Sequence, residues 1–411
     1  MRRVLSTLLV CAEVSLVLAG ARPASAYTPP LARAGMAMAY FGATGFRHVY
    51  MFGGQPCQGN PGPGCSYYND LWYWCGAPAG CAGVAQYQWK QVFADGNTTG
   101  PCRRRSARMA YVDATINTVS YQYILLFGGF GDTTCAQGAK LLSDTWKFDG
   151  TTWTSLSPTH HPSAREGISL AFDRNLGEAV LFSGATGGSG SRSDTWVWDP
   201  AANGQMGDWL KVCKDPGEPG NEPACVDSVT GTTVPSRNSA AASWDGSTGS
   251  GRTVVYGGWP GSYPPLDDMW GFTCGAYPCS TTNWTWTEVC SACTGTGRTA
   301  LRADWFTGAN QSVNKVVLFG GTDNNGHNYD DTLTEPPVPF ACVLGTLPAA
   351  CGGTSPSPRL SMGVGYDGNR VYLVMFGGVI PGSPDAFCAD TWTLSNTSGV
   401  WSWTRRDGPA C

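Results

Sequence analysis

The feature that most constrains this chain is one phrase that returns six times: an apolar strand, an aromatic residue, then Gly-Gly or a near equivalent. It reads Met51-Phe52-Gly53-Gly54, Leu126-Phe127-Gly128-Gly129, Leu181-Phe182-Ser183-Gly184, Val255-Tyr256-Gly257-Gly258, Leu318-Phe319-Gly320-Gly321 and Met375-Phe376-Gly377-Gly378. After a loop of variable length each phrase is followed by Asp-x-Trp, at Asp70/Trp72, Asp144/Trp146, Asp194/Trp196, Asp268/Trp270 and Asp390/Trp392, with Asp331/Leu333 the weak fifth copy. A Trp-x-x-apolar strand comes next, at Trp89, Trp153, Trp209, Trp286 and, less perfectly, Trp403, and again the fifth copy lacks its aromatic. Ahead of each Gly-Gly strand lies a strand opened by an arginine with a small residue two places on. These pairs are Arg33/Gly35, Arg108/Ala110, Arg165/Gly167, Arg237/Ser239, Arg298/Ala300 and Arg359/Ser361.

Each repeat therefore holds four short strands, a to d, that alternate in direction. Six repeats give roughly 64 residues apiece, which suits a four-stranded blade with generous loops. The fold class is all-β: glycine (55) and tryptophan (17) are plentiful, and helical-period runs are missing beyond the first thirty residues. A ring of such sheets hides most faces without a helix. Strand a, crowded at the axis, takes small residues; Gly-Gly permits positive φ and close packing; the strand c and d tryptophans fill the wedges between blades. The expected organisation is one domain over 27–411, with blades near 31–92, 103–156, 162–212, 235–289, 297–345 and 358–406.

Gly-Gly, Asp-x-Trp, Trp-x-x-apolar and an Arg-led strand together resemble the Kelch repeat, over about 31–406 of the chain. The resemblance implies a six-bladed β-propeller of Kelch-like four-stranded blades. It does not by itself imply a chemistry. Ser183 and Leu333 depart from the pattern, so the fifth blade is expected to be irregular. The first repeat opens with strand a and the last closes with strand d, so every blade is contiguous sequence and something other than strand exchange must close the ring. A bridge between Cys388 and the final residue, Cys411, would tie the last strand down.

The N-terminus reads as an export signal over 1–26: Arg2 and Arg3, an apolar run over 4–18, then Ala24-Ser25-Ala26 before Tyr27. An uncleaved anchor is disfavoured by Glu13 within the short run, and a lipid-attachment reading at Cys11 by Val10 before it. No integral membrane segment is expected once the signal is removed. Of 17 cysteines, Cys11 leaves with the signal, and the rest cluster in Gly/Pro/Asn-rich stretches such as Cys57/Cys65, Cys75/Cys81, Cys213/Cys225, Cys274/Cys279 and Cys342/Cys351. An oxidising, secreted or periplasmic setting follows. Cys290-x-x-Cys293 either closes on itself or pairs with Cys274 and Cys279; it lacks a second half at zinc spacing, so no metal is expected. A net charge of −4 argues against bulk attraction to nucleic acid.

Strand alternation puts the b-to-c loops and the d-to-next-a connections on one face, termed here the loop face. The long segments 55–68, 130–142, 322–329, 379–388, 213–234 and 334–357 belong to it, as do all mature cysteines except Cys75, Cys81, Cys274 and Cys279. Stapled loops pre-order a surface for binding, or merely survive export. Arg33, Arg108, Arg165, Arg237, Arg298 and Arg359 should lie near the channel mouth on this face, either as a cationic rim for a carboxylate or sulfate or, as we favour, satisfying loop carbonyls and neighbouring aspartates. Glu166 is the one carboxylate beside such an arginine and either points into the channel or pairs with a neighbour. Tyr67, Trp259 and Tyr263 are loop-face aromatics suited to sugars or peptides, with Trp259 the most distinctive. Residues 323–331 are oxygen-rich, but an Asn/Gly turn is favoured over a calcium loop. The Asn97, Asn283, Asn310 and Asn396 sequons matter only in a glycosylating host.

The leading expectation is an exported, monomeric, non-catalytic module without cofactor that binds an extracellular protein or glycan. No nucleophile, base and orienter stand at recognisable spacing. The alternative is a carbohydrate-active enzyme at the channel mouth. Secreted Kelch-like propellers resemble copper radical sugar oxidases and sialic acid mutarotases, and the scattered histidines carry no oxidase motif. A mutarotase-like or epimerase-like pair of Glu166 with rim arginines is the runner-up. Signal and cysteine loops argue against an intracellular adaptor.

Overall fold

The computed structural model describes residues 27–411, except 58–64, 136–137, 188–189, 250, 308–312, 336–340, 346–353, 383 and 409–410. The export signal at 1–26, Cys351 and the Asn310 sequon lie outside the described residues. Six four-stranded antiparallel sheets follow one another along the chain. Their innermost strands are Ala37–Phe41, Arg108–Ile116, Ser169–Asp173, Ala241–Asp245, Arg302–Thr307 and Gly363–Asp367. The outermost are Gln88–Phe93, Trp153–Leu156, Asp208–Cys213, Trp284–Cys290, Ala341–Leu344 and Val400–Asp407. The inner strand of each blade touches that of the next, and the sixth touches the first. The chain is a six-bladed β-propeller.

The repeated residues earn their places through contacts between blades. Gly53 has φ +68, and a Cβ there would sit 2.8 Å from the carbonyl oxygen of Arg104 in the next blade; Gly377, at φ +63, meets Arg33 at 2.6 Å in the same way. A side chain at either position would collide with backbone, which explains the glycine. Ser183 takes this place in blade 3 at φ +71 and donates its hydroxyl to the carbonyl of Arg237. Its short polar side chain turns the clash into a bond.

The strand d tryptophans do more than fill space. The indole N–H of Trp209 donates to Thr145 Oγ1 at 3.1 Å, that of Trp286 to Thr195 at 3.0 Å, that of Trp403 to Thr332 at 2.8 Å, and that of Trp89 to Thr391 at 2.9 Å. In each case the threonine is the middle residue of Asp-x-Trp (Asp-x-Leu in blade 5) in the preceding blade. Blade 1 has Leu71 there instead, and Trp153 of blade 2 packs on it within an apolar cluster. The Trp89–Thr391 bond joins blade 1 to blade 6, so the ring closes with the same contact that builds it.

Seven disulfides stand among the described residues: Cys57–Cys65, Cys75–Cys81, Cys102–Cys135, Cys213–Cys225, Cys274–Cys279, Cys290–Cys293 and Cys388–Cys411. Such density suits an oxidising environment. Cys290 and Cys293 pair with each other, and Cys411 ties the chain end to the b-to-c loop of blade 6. The hydroxyl of Tyr27, the first described residue, donates to Asp407 and accepts the amide of Trp89 at 3.0 Å, which ties the segment leading into blade 1 to the outer strands of blades 6 and 1. No helix among the described residues is long and apolar enough to cross a membrane.

Candidate functional site

Around the axis, on the loop face, six backbone amides form a closed hoop. Ser106 N–H donates to the carbonyl of Gly35, Gly167 to Ser106, Ser239 to Gly167, Ala300 to Ser239, Ser361 to Ala300 and Gly35 to Ser361, over 2.7 to 3.1 Å. All six residues have positive φ, between 52° and 68°. This is the reason for a small residue two places after the arginine: a bulky side chain in the left-handed region is strained.

The arginines lie behind the hoop, inside the protein. Arg33, Arg104, Arg165, Arg237, Arg298 and Arg359 are at most 2% exposed. Each grips the Asp-x-Trp (Asp-x-Leu in blade 5) aspartate of its own blade with two guanidinium nitrogens: Asp70, Asp144, Asp194, Asp268, Asp331 and Asp390, with closest distances of 2.5 to 2.7 Å. Except in blade 5, one nitrogen also reaches the carbonyl of the first Gly-Gly residue, and Nε reaches the carbonyl two residues back. A bidentate pair so satisfied fixes the junction of strands a, b and c. Its donors face protein rather than the channel.

Arg108 is not a member of this set. Blade 2 has a longer a–b hairpin, Arg108–Ile116 against Val119–Phe127, so the residue gripping Asp144 is Arg104, at 2.6 Å, and Ser106 is the hoop residue. Arg108 sits four residues on, opposite Phe127, and lines the axial cavity. The proline three residues before Arg33, Arg165 and Arg359 also stands three before Arg104, a signal for the right register.

The third Asp-x-Trp function is electrostatic. The indole N–H of Trp72, Trp146, Trp196, Trp270 and Trp392 donates to the aspartate two residues earlier, at 2.6 to 2.8 Å. Burial raises the carboxyl pKa of Asp144 and Asp194, but the arginine and indole outweigh it and both end below the usual range. Asp331 has Leu333 in place of tryptophan. There burial wins, with Asp330 adding repulsion, and the pKa is raised despite Arg298.

Between arginine and hoop stands a single residue that faces the mouth of the ring and bridges to the residue after Gly-Gly: Ala34 with Gln55, Arg105 with Phe130, Glu166 with Ala185, Asn238 with Trp259, Thr299 with Thr322, and Leu360 with Val379. The charged residues of this rim come from blades 2 and 3, beside Gln55 and Tyr67 of blade 1. Arg105 lies over the rings of Tyr67 and Phe130 (5.5 and 5.3 Å to the centroids), donates to Gln55 at 2.9 Å, and pairs with Glu166 at 3.2 Å. Tyr67 is buried beneath it, its hydroxyl pKa raised by burial. Glu166 thus pairs with a neighbour.

Trp259 and Tyr263 form a second feature on the same face, edge to face with centroids 4.2 Å apart. Tyr263 is 67% exposed. Backbone bonds to Asn238 at 2.8 and 2.9 Å fix Trp259, and Ser191 Oγ donates to its carbonyl at 3.3 Å. In the oxygen-rich segment, Asp323 accepts the amides of Asn325 and His327 at 2.8 and 2.9 Å and the hydroxyl of Tyr329 at 2.8 Å, which is the geometry of a turn. The three-residue group Cys388, Asp390 and Cys411 is the sole cluster of ligand-type side chains among the described residues, and its two sulfurs are bonded to each other.

No family model matches the chain, and no curated protein matches it. Among solved structures it is similar to the structure of YjhT, at 13% identity and a TM-score of 0.57, over 92% of this chain and 98% of that one. This likeness is one of fold.

Proposed function

We propose that the chain is an exported recognition module that binds an extracellular protein or glycan through its loop face. The observation that carries the reading is the covalent and polar fixing of that face. Five of the seven disulfides, Cys57–Cys65, Cys102–Cys135, Cys213–Cys225, Cys290–Cys293 and Cys388–Cys411, lie in its loops. Loops held in one conformation lose little entropy on binding. The pair of half-buried Trp259, held by its backbone bonds to Asn238, and exposed Tyr263 has the character of an aromatic anchor for a sugar face or a peptide side chain. A glycan array and a panel of immobilised extracellular proteins, probed with the wild type and Trp259→Ala, test the reading: binding that falls at least about tenfold in the variant supports it, and unchanged binding refutes this location.

One observation favours the second reading, an enzyme acting on a carbohydrate. Glu166 and Arg105 bring an acid and a cation together at the mouth of the axis, 23% and 18% exposed. On that reading Glu166→Gln retains sugar binding and loses turnover, and a wild type that leaves bound sugars unchanged removes it.

A further inference from the structure

The innermost strands begin at equivalent positions, each opposite the aromatic residue before Gly-Gly: Ala37 with Phe52, Arg108 with Phe127, Ser169 with Phe182, Ala241 with Tyr256, Arg302 with Phe319 and Gly363 with Phe376. This layer lies two residues beyond the hoop. Four blades place small residues in it, and blades 2 and 5 place arginines. Three blades apart in a ring of six, Arg108 and Arg302 face one another across the axis. Both line a cavity of about 1050 Å³ that runs from the hoop toward the a-to-b loops, the face opposite the loop face.

The two guanidiniums are under-satisfied in the same way. Arg108 donates to the carbonyl of Ala107 at 3.1 Å and Arg302 to that of Leu301 at 2.8 Å, the only hydrogen bond of each side chain among the described residues. Neither has a carboxylate partner there. Ser169, in the same layer and 2% exposed, has a hydroxyl without a partner. The remaining charged lining consists of Arg47 and Arg174 toward the a-to-b end, with Asp113 and Asp304. Asp113 accepts from Gln122 at 3.0 Å, and Asp304 accepts the amides of Tyr366 and Trp305 at 2.7 and 2.8 Å. Four arginines thus face two aspartates in the axis of a chain whose net charge is −4.

Burial lowers the pKa of Arg108 to about 10, and burial together with the charge on Arg108 pushes that of Arg302 well below its usual value. A guanidinium keeps its proton under such pressure. The two like charges repel across the axis, negative charge placed between them relieves that repulsion, and a low-dielectric wall strengthens the attraction.

We propose that the axial cavity is a binding site for a small oxyanion-bearing molecule, held between Arg108 and Arg302 with Ser169 as a third donor and admitted from the a-to-b face past Arg47 and Arg174. The planar forks suit carboxylate, sulfate or phosphate oxygens. Three further blades supply Ala37, Ala241 and Gly363 to the layer, leaving room at its centre for the anion.

Isothermal titration of the disulfide-intact chain with sulfate, succinate and glucuronate, at ionic strength held constant with chloride, tests this. One molecule of at least one probe is expected to bind per chain, with affinity falling about tenfold or more in Arg108→Ala and in Arg302→Ala. Alanine is what blades 1 and 4 carry at this position, so the ligand-free melting temperature should hold or rise. Arg302→Gln keeps more volume and serves as the second variant. Trp259→Ala should leave anion binding intact, which separates this site from the loop face. Absence of binding by all three probes in the millimolar range, or affinity unchanged in both arginine variants, overturns the proposal.

Discussion

The amide of Gly35 donates to the carbonyl of Ser361 across 2.8 Å, and this bond joins the first blade to the sixth as Ser106 is joined to Gly35 and every other neighbour to the next. Closure therefore needs no exchanged strand. The same seam also carries the Trp89–Thr391 hydrogen bond and the Arg33 amide bound to the carbonyl of Cys388 at 3.1 Å.

Removing one member of a buried ion pair should be severe. In Asp194→Ala, Arg165 is left buried at 1% exposure without its carboxylate, and a loss of about 3–5 kcal/mol is expected from urea unfolding. Arg103→Ala breaks a partly exposed pair with Asp95 and should cost less than about 1 kcal/mol. Equal effects would show that the buried pairs do not hold the blades.

Thr145→Val leaves the indole N–H of Trp209 buried and unpaired, at a cost of about 1–3 kcal/mol. The double variant with Trp209→Phe should show a cost smaller than the sum of the two single variants. Strict additivity in this cycle would mean that the bond contributes nothing.

Replacing Cys388 and Cys411 by serine should lower stability by about 2–4 kcal/mol and open the strand Val400–Asp407 to proteolysis, read by cleavage mapping. Tyr27, bound to Asp407, would hold part of that strand in place. A variant as protease-resistant as the wild type would assign closure to the hydrogen bonds alone.

Glu178 is fully buried and accepts the amide of Cys279 from blade 4 at 3.1 Å; burial pushes its carboxyl up to about 8. The folded state therefore keeps a proton that the unfolded chain releases near the ordinary 4.5. Stability from this group is present at low pH and falls as pH rises between about 5 and 8. Glu178→Gln should flatten that fall in the melting temperature. Glu335, raised to about 7 mainly by burial, acts in the same sense, so the flattening is partial.

The propeller was legible because its repeats encode inter-blade contacts in fixed residue types: glycine where a Cβ would strike backbone, aspartate where an arginine must be neutralised. Arg33, Arg165, Arg237, Arg298 and Arg359 could be read from that pattern: each grips its aspartate, and all but Arg298 also reach carbonyls, in the favoured role. Arg108 could not, because hairpin length is free to vary between blades, and its spacing to Gly-Gly imitated the motif while its register put it in the channel. Glu166 was visible as an outlier, but its partner Arg105 was hidden in the run Arg103-Arg104-Arg105, where only the fold decides which arginine faces where. The facing of Arg302 and Arg108 depends on six strands meeting at an axis and has no local signature.

The most direct test of the central claim compares binding of the first partner found, glycan or protein, by the wild type, Trp259→Ala with Tyr263→Ala, and Arg108→Ala with Arg302→Ala. Recognition through the loop face predicts that the aromatic double variant loses binding while the channel double variant retains it. Loss in the channel variant with full binding in the aromatic one would contradict the account and move recognition to the axis.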